Sequence, residues 1–439
     1  MSNYNYNGGI KNLIDTNNIN NNLNQSYWEK KSLSRYDYIV IGSGIVGLST
    51  AISIKERSPQ SSVLILERDT HPNGASTKNA GFACVGSLTE IMDDLKTMNE
   101  QEVLDLVSAR YRGLQLLRKR LGDENIGYKD NGSFELIDSN SNLSNQSILL
   151  ENIERVNQLL RKVLPGDAFT LCTNDQMKSF GFSDKICSYL IKNNFEGEID
   201  TGKMMFQYTE LALSWNVHIK NGSRVLKFID GNENDSSQLV KVLVENPFSL
   251  SNSTLTKPME FTCKKLAICT NAFTGDLVEN IDITPGRGQV LITDPIPGLQ
   301  LKGIYHFDEG YYYFREKDGC ILFGGGRNLD FKTEATTEFK LNPMILNKLY
   351  QLLQDHIIPN TKFTVNTVWC GIMAFGKDKK PIIQFNDGSK NVVLGVRMGG
   401  MGVAIGSLVG RMLADMILST DANSSLNNQN TINNLISKL

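Results

Sequence analysis

"YDYIVIGSGIVG", residues 36–47, decides the fold. The run Tyr38–Ile41 is short and apolar, and it ends at Gly42, Gly44 and Gly47 in the spacing G-x-G-x-x-G. An apolar run of this length bounded by a glycine turn reads as a buried strand. The following "LSTAISIKER" (48–57) puts Leu48, Ala51, Ile52 and Lys55 at helical spacing, and "SVLILE" (62–67) is a second buried strand. Strand, glycine turn, helix and strand make a right-handed βαβ unit. Gly42 permits the tight turn, Gly44 lets backbone approach a pyrophosphate, and Gly47 lets the helix lie close to the strand. The helix opening at Ile45 and Val46 aims its free N–H groups and positive dipole end at the phosphates. Glu67 ends the second strand, 20 residues beyond Gly47, where a carboxylate can accept hydrogen bonds from the ribose hydroxyls of an adenosine. These residues predict dinucleotide binding. By themselves they do not separate NAD from FAD.

Working outward, the chain closes with a similar unit. "VVLGV" (392–396) reads as a buried strand, "RMGGMG" (397–402) as a glycine turn, and "VAIGSLVGRMLADMIL" (403–418) as a helix. Between the two units, residues 101–121 have a helical period with Val103, Val107, Leu114, Leu117 and Leu121 as the core face and Arg118–Arg120 on the solvated side. Three strand-like runs at 224–229, 239–245 and 263–270 predict an antiparallel meander, and "GQVLIT", "YYYFRE" and "CILFGGG" predict a second sheet. The expected fold class is α/β (α+β overall). Residues 35–100, 191–284 and 371–420 form a Rossmann-like nucleotide-binding domain, and residues 101–190 and 285–370 form an inserted antiparallel-sheet substrate domain. The Asn-rich residues 1–34 read as disordered and 421–439 as a flexible tail.

Composition narrows the function. Formal net charge is −2, so no global field favours nucleic acid or an anionic membrane. Seven cysteines, an odd number with no C-x-x-C pair, speak against a disulfide framework or zinc site, and four histidines without H-E-x-x-H give a metal mechanism little support. No run of 18 or more residues is continuously apolar, so no membrane span is expected.

The stretch "ERDTHPNGASTKNAGFACVGS" (67–87) resembles the D-amino-acid oxidase-like flavoproteins, the family of glycine oxidase, sarcosine oxidase and several amine and amino-acid dehydrogenases. In that family such a loop follows the ribose carboxylate and runs along pyrophosphate and flavin. The matching residues are Arg68, Gly74, Ala75, Ser76, Thr77, Asn79, Ala80 and Gly81, with Lys78 at a place often basic and close to the flavin ring. The resemblance continues through "EIDTGKMM" (198–205), "NGSRVLKF" (221–228) with Val225 at the adenine, and "AICTNAFTGDL" (267–277) with Thr270 and Asn271. It extends to "WCGIMAFGKDKKPII" (369–383) and to the last cofactor loop, with Gly400, Met401, Gly402, Val403 and Ala404. It implies FAD, a two-domain architecture of glutathione-reductase type, and oxidation of an amine or amino acid by hydride transfer to flavin N5. The chemistry is then the cofactor's, and the protein holds a neutral amine with its C–H aimed at the flavin. The place where some relatives tether the flavin falls on Gly371, so the FAD is expected to be non-covalent and Cys370 an ordinary strand cysteine.

Three positions depart from the family's pattern. An arginine that grips the substrate carboxylate in the glycine oxidase branch aligns with Met373, which cannot replace a bidentate guanidinium. Phe323 and Ala404 stand where the sarcosine oxidase branch carries lysines. The substrate candidates are therefore Lys78, Tyr312, Arg315, Arg327 and Met373, with His306 read as a satisfied structural histidine. Oxygen is the expected acceptor. A dehydrogenase passing electrons to another acceptor and a non-catalytic FAD-binding assembly factor are the alternatives. The chain ends in Ser437-Lys438-Leu439, a peroxisomal address on a polar tail. The peroxisomal import receptor is thus an expected partner, with the cytoplasm as the alternative location.

Overall fold

The computed structural model describes residues 26–231, 239–246 and 258–419. The C-terminal tripeptide and most of the Asn-rich segment lie outside the described residues. Within that segment, Glu29–Leu33 forms a helical turn closed by Ser34 N–H donating to the Glu29 carbonyl, where disorder was expected through residue 34.

Two eight-stranded sheets organise the chain. In the first, Arg35–Ile41 runs parallel to Val63–Leu66 on one side and to Met259–Ile268 on the other. Val392–Val396 continues the sheet in parallel beyond Met259–Ile268. Val63–Leu66 and Val392–Val396 are buried at every residue, which explains their unbroken apolar sequence. The expected meander is present. Val225–Ile229 pairs with Val240–Val244, which pairs antiparallel with Met259–Ile268.

Ile45–Arg57, Glu100–Leu121, Thr201–Ser214 and Gly402–Ser419 pack into one core beside this sheet, and small residues let three of them approach closely. A Cβ on Gly47 would lie 1.9 Å from the Gly42 carbonyl oxygen, and one on Gly410 would lie 2.6 Å from the Val46 carbonyl oxygen. A Cβ on Gly113 would lie 2.3 Å from the Ala404 carbonyl oxygen. The last contact corrects the domain boundaries expected from sequence. The Glu100–Leu121 helix packs against Gly402–Ser419 and shares the nucleotide domain's core through Leu106, Ala109, Leu117 and Leu121. Its Arg118–Arg120 cluster is also not simply a solvated face. Arg118 pairs with Asp123, and Arg120 reaches Glu56, Ser49 and Ser53 on Ile45–Arg57. The Gly402–Ser419 helix is long and apolar enough to cross a membrane, but it is mostly buried against its neighbours here.

The second sheet runs in the order Val365–Phe375, Thr284–Thr293, Cys320–Gly325, Tyr312–Lys317, Ile304–Phe307, Ser133–Ile137, Tyr189–Asn193, Phe169–Leu171. Neighbours are antiparallel except Ile304–Phe307 with Ser133–Ile137. Membership of Tyr189–Asn193 and Val365–Phe375 in this sheet moves the expected boundaries at 191 and 371. One face packs an aromatic core in which Tyr305 stacks on Phe314 at 4.9 Å and Phe307 on Tyr312 at 4.9 Å. The other face looks toward the glycine-rich ends of the first sheet.

Candidate active site

A cavity of about 1020 Å³ lies between the two sheets. That is at the upper limit for a small-molecule pocket and leaves room for a large cofactor and a substrate together.

The nucleotide end is built from the ends of parallel strands. Gly42 takes φ +100°, and Gly44 caps the Ile45–Arg57 helix without a side chain. A Cβ on Gly42 would come within 2.9 Å of the Cys269 carbonyl oxygen. Gly44, Ile45 and Val46 line the cavity at the positive end of the helix dipole. Glu67 is 7% exposed and faces the same space. Its Oε2 accepts from Ser43 N–H at 3.0 Å and from the Ser43 hydroxyl at 2.7 Å, and its Oε1 accepts from Asp69 N–H at 3.2 Å. A carboxylate offers about four lone-pair sites, so one remains open and rotation of the Ser43 hydroxyl opens a second. Arg68 lies 3.7 Å over the Phe273 ring, and Val225, Thr270 and Asn271 complete this wall.

The loop 74–81 forms one side of the cavity through Ala75, Ser76, Lys78, Asn79 and Ala80. Ser76 Oγ accepts from Ile45 N–H at 3.0 Å, fastening the loop to the helix start. Asn79 holds the loop's shape, with Oδ1 accepting from Gly81 N–H at 2.9 Å and from the Thr201 hydroxyl at 2.8 Å. Gly400, Met401, Gly402 and Val403 close the opposite side at the start of the last helix. Asn271 fixes that loop by accepting from Arg397 N–H and Met398 N–H at 3.1 and 3.2 Å. Gly42, Gly44, the Glu67 carboxylate and two helix starts thus suit the adenosine and pyrophosphate of FAD.

The second sheet supplies the other wall. Gly371 pairs with Gly288, and Met373 pairs with Gly286. A Cβ on Gly371 would lie 2.9 Å from Lys78 Cβ, and Trp369 Nε1 donates to the Lys78 carbonyl at 3.0 Å. Arg327 leans over Gly286, where an added Cβ would be 3.2 Å from its Nη1. Its guanidinium sits 4.0 Å over Phe375 and 4.9 Å over Phe331. No carboxylate pairs with it among the described residues, and burial pushes its pKa down.

Farther along this wall Tyr313 pairs with His306, and both line the cavity. Beside them lies Glu196, 1% exposed. Its Oε1 accepts from Val85 N–H at 2.7 Å and Gly86 N–H at 2.8 Å, while Oε2 has no partner. Burial raises the Glu196 carboxyl, opposed by nearby His306, the Ser133 hydroxyl and the two backbone N–H groups. Burial and Glu196 together push the Cys84 thiol well above its ordinary value.

Several expected site residues fall elsewhere. Tyr312 is buried in the aromatic core, and the alternation of the strand gives Tyr311 and Tyr313 to the cavity instead. Arg315 is no substrate contact. Its Nη1 donates to the Gly81 and Ile199 carbonyls at 2.9 Å each, tying the second sheet to the cofactor-side loop. Ala404 packs among Ala83 and Leu114, and Thr77 donates to the Pro72 carbonyl. Gly47 and Gly81 shape backbone without lining the cavity. His306 is not a satisfied structural histidine, because its buried Nδ1 has no partner. Sequence reasoning missed Cys84, Arg110, Glu196 and Tyr313. Cys84 and Glu196 meet because Phe82–Ala83 pairs with Gly197–Glu198 across more than 100 residues, and no local pattern announces that pairing.

The model of the family described as FAD dependent oxidoreductase matches residues 37–416. Among solved structures, L-proline dehydrogenase from P. horikoshii superimposes with a TM-score of 0.68 at 17% identity, covering 90% of this chain and 96% of that one. Glycine oxidase from Geobacillus kaustophilus gives 0.68 at 16% identity, covering 90% and 97%. Iminodiacetate oxidase from Chelativorans sp. BNC1 gives 0.64 at 17% identity, covering 89% and 97%. No curated protein matches the sequence. These likenesses share the fold, and the family match is decisive: the chain belongs to the FAD dependent oxidoreductase family of D-amino-acid oxidase type.

Proposed function

We propose that this FAD-dependent oxidoreductase oxidises the C–N bond of an amino acid or amine bearing a carboxylate, with oxygen as the electron acceptor. The observation that carries the reading is Arg327. The residue aligned with the family's carboxylate-gripping arginine is Met373, and Met373 pairs with Gly286. Arg327 reaches over that same Gly286 from the end of the neighbouring strand. A guanidinium missing from one strand is thus supplied by another. It lies over two phenyl rings and pairs with no carboxylate among the described residues.

In this reading Gly44, Ile45, Glu67, Ser76 and the 400–403 loop hold FAD. Bound FAD would supply the two-electron oxidation, by taking up a hydride from the substrate. The chain's residues orient and desolvate. Arg327 takes the carboxylate by charge-assisted hydrogen bonds. Gly288 and Gly371 keep the sheet face free of side chains where ring and substrate meet, and Tyr313 walls the space from the neighbouring strand. The start of the Gly402–Ser419 helix lines the cavity, where its free N–H groups would stabilise negative charge on bound flavin. Arg327→Met should raise the KM of the carboxylate substrate by about 10- to 100-fold, corresponding to about 1.5–3 kcal/mol for a charged hydrogen bond. An unchanged KM would reject the assignment.

The FAD is held non-covalently in this proposal, since Gly371 offers no thiol at the tethering place and Cys370 does not line the cavity. Acid precipitation should release all yellow colour to the supernatant; colour in the pellet contradicts it. The terminal Ser437-Lys438-Leu439 supports import into peroxisomes, where peroxide from an oxidase is confined beside catalase. An N-terminal fluorescent fusion should co-localise with catalase and become diffuse when the tripeptide is removed. Diffuse fluorescence from the intact fusion contradicts the address.

A further inference from the structure

We propose that Glu196 recognises a cationic group at the far end of the substrate, so that the preferred substrate carries a second positive charge remote from the carbon being oxidised. The proposal rests on the amino-acid reading above and narrows its substrate class.

Arg327 and Glu196 line the cavity without a salt bridge among the described residues, and they stand apart. Arg327 lies over Gly286. His306, beside Glu196, belongs to the row Trp369–Val290–Gly324–Tyr313–His306 across the sheet. From the Gly286 strand to the His306 strand there are three interstrand steps, about 14 Å at the usual spacing. Val290 also lies four residues along from Gly286, about 13 Å at the rise of an extended chain. The α-amine and α-carboxylate of one amino acid are only about 3 Å apart by ordinary bond geometry. The two offsets combine to about 19 Å between backbone positions, which the Glu196 and His306 side chains and the ligand's own length bridge together. The two groups therefore address different parts of a ligand.

Glu196 requires a cation for a physical reason. Two backbone N–H groups on Oε1 support its ionised form, while Oε2 is buried and unpartnered. An unpaired buried carboxylate oxygen is costly, and among the described residues none donates to Oε2. Arg110 is committed to Glu90 at 3.0 Å and to the Val85 carbonyl at 3.1 Å. Cys84, with its raised thiol pKa, adds no positive charge. The remaining neighbours are the Ser133 hydroxyl, which favours the ionised form but carries no charge, and His306, whose Nδ1 also lacks a partner among the described residues. An ammonium or guanidinium with several N–H donors can satisfy Oε2 and an unprotonated Nδ1 together. An apolar or acidic side chain satisfies neither, and a neutral donor leaves the charge of the ionised carboxylate unpaired.

The test uses FAD-loaded wild type, Glu196→Gln and Arg327→Met. Calorimetric titration with n-butylguanidinium probes the cationic site, and titration with pentanoate probes the anionic one. Glu196→Gln should weaken n-butylguanidinium by about tenfold or more and leave pentanoate unchanged, and Arg327→Met should do the reverse. Anaerobic flavin reduction by lysine should likewise lose its advantage over norleucine in Glu196→Gln. Equal binding of n-butylguanidinium to wild type and Glu196→Gln overturns the proposal, as does equal use of lysine and norleucine by wild type. Should Glu196→Gln fail to hold FAD, wild type decides: no n-butylguanidinium binding, or binding that lysine does not displace, overturns it. If the cation binds through Glu196 but no amino acid reduces the flavin, the amino-acid oxidation reading fails and the Glu196 site stands.

Discussion

Glu67→Ala should weaken FAD and destabilise the empty protein, and the two effects can be separated. The carboxylate accepts three hydrogen bonds from Ser43 and Asp69 before any ligand arrives. Its removal leaves two backbone N–H groups at a 7% exposed site without their acceptor, at about 1–3 kcal/mol each where water cannot replace it. The open lone-pair site, and a second freed by rotating Ser43, are the places for ribose hydroxyls. Losing a hydrogen bond to a charged group costs a further 1.5–3 kcal/mol or so, which raises the FAD dissociation constant by about 10- to 100-fold. Glu67→Gln keeps one carbonyl acceptor and should fall between wild type and Ala. Titration of apoprotein with FAD, followed by flavin fluorescence, reads the second effect; thermal unfolding without FAD reads the first. If Glu67→Ala apoprotein bound FAD within about twofold of wild type, the ribose assignment would be wrong, whatever happened to the melting temperature.

Gly44→Val should purify folded but largely colourless. The nearest atom to a Cβ there is the Ser76 hydroxyl at 2.9 Å, which can turn away, whereas a pyrophosphate cannot; a full FAD complement would disprove the phosphate-loop reading. Arg315→Met should cost about 2–5 kcal/mol in urea unfolding, because it leaves the buried Gly81 and Ile199 carbonyls without their donor, and a loss under about 1 kcal/mol would deny Arg315 its structural role. Burial raises the Tyr313 phenol from 10.0 to about 12. The folded pKa is then the higher one, so this contribution is intact below about pH 10 and is lost as pH rises through about 12. Tyr313→Phe should therefore shrink the alkaline fall in urea midpoint, and an identical fall in both proteins would refute that.

Legibility followed sequence locality. Gly42, Gly44 and Glu67 were readable because one βαβ unit of about 30 residues carries strand, turn and acceptor together. Residues 74–81 and 400–403 were readable because a continuous loop shapes each contact. The substrate wall was not. Tyr311, Tyr312 and Tyr313 alternate, and which parity faces the cavity depends on sheet packing that three tyrosines do not encode. Arg315 lies within one strand of the second sheet and Arg327 just beyond the end of the next. One is consumed by carbonyls from two distant segments, and the other is left facing the cavity. The Glu100–Leu121 helix has the period of any amphipathic helix, and only Gly113 against Ala404 reveals which domain it joins. Glu196 and Cys84 meet through a two-residue ladder too short to leave a sequence pattern.

The central claim is that the cavity binds FAD and oxidises an amino acid or amine there. Purified FAD-loaded protein should be mixed without air with a panel of neutral, acidic and basic amino acids and simple amines, and its flavin absorbance followed. The account predicts bleaching by at least one carboxylate-bearing amine, with about one substrate consumed per flavin, and recovery of colour with hydrogen peroxide when air is admitted. A fully loaded flavin that stays oxidised with every member of the panel would contradict it.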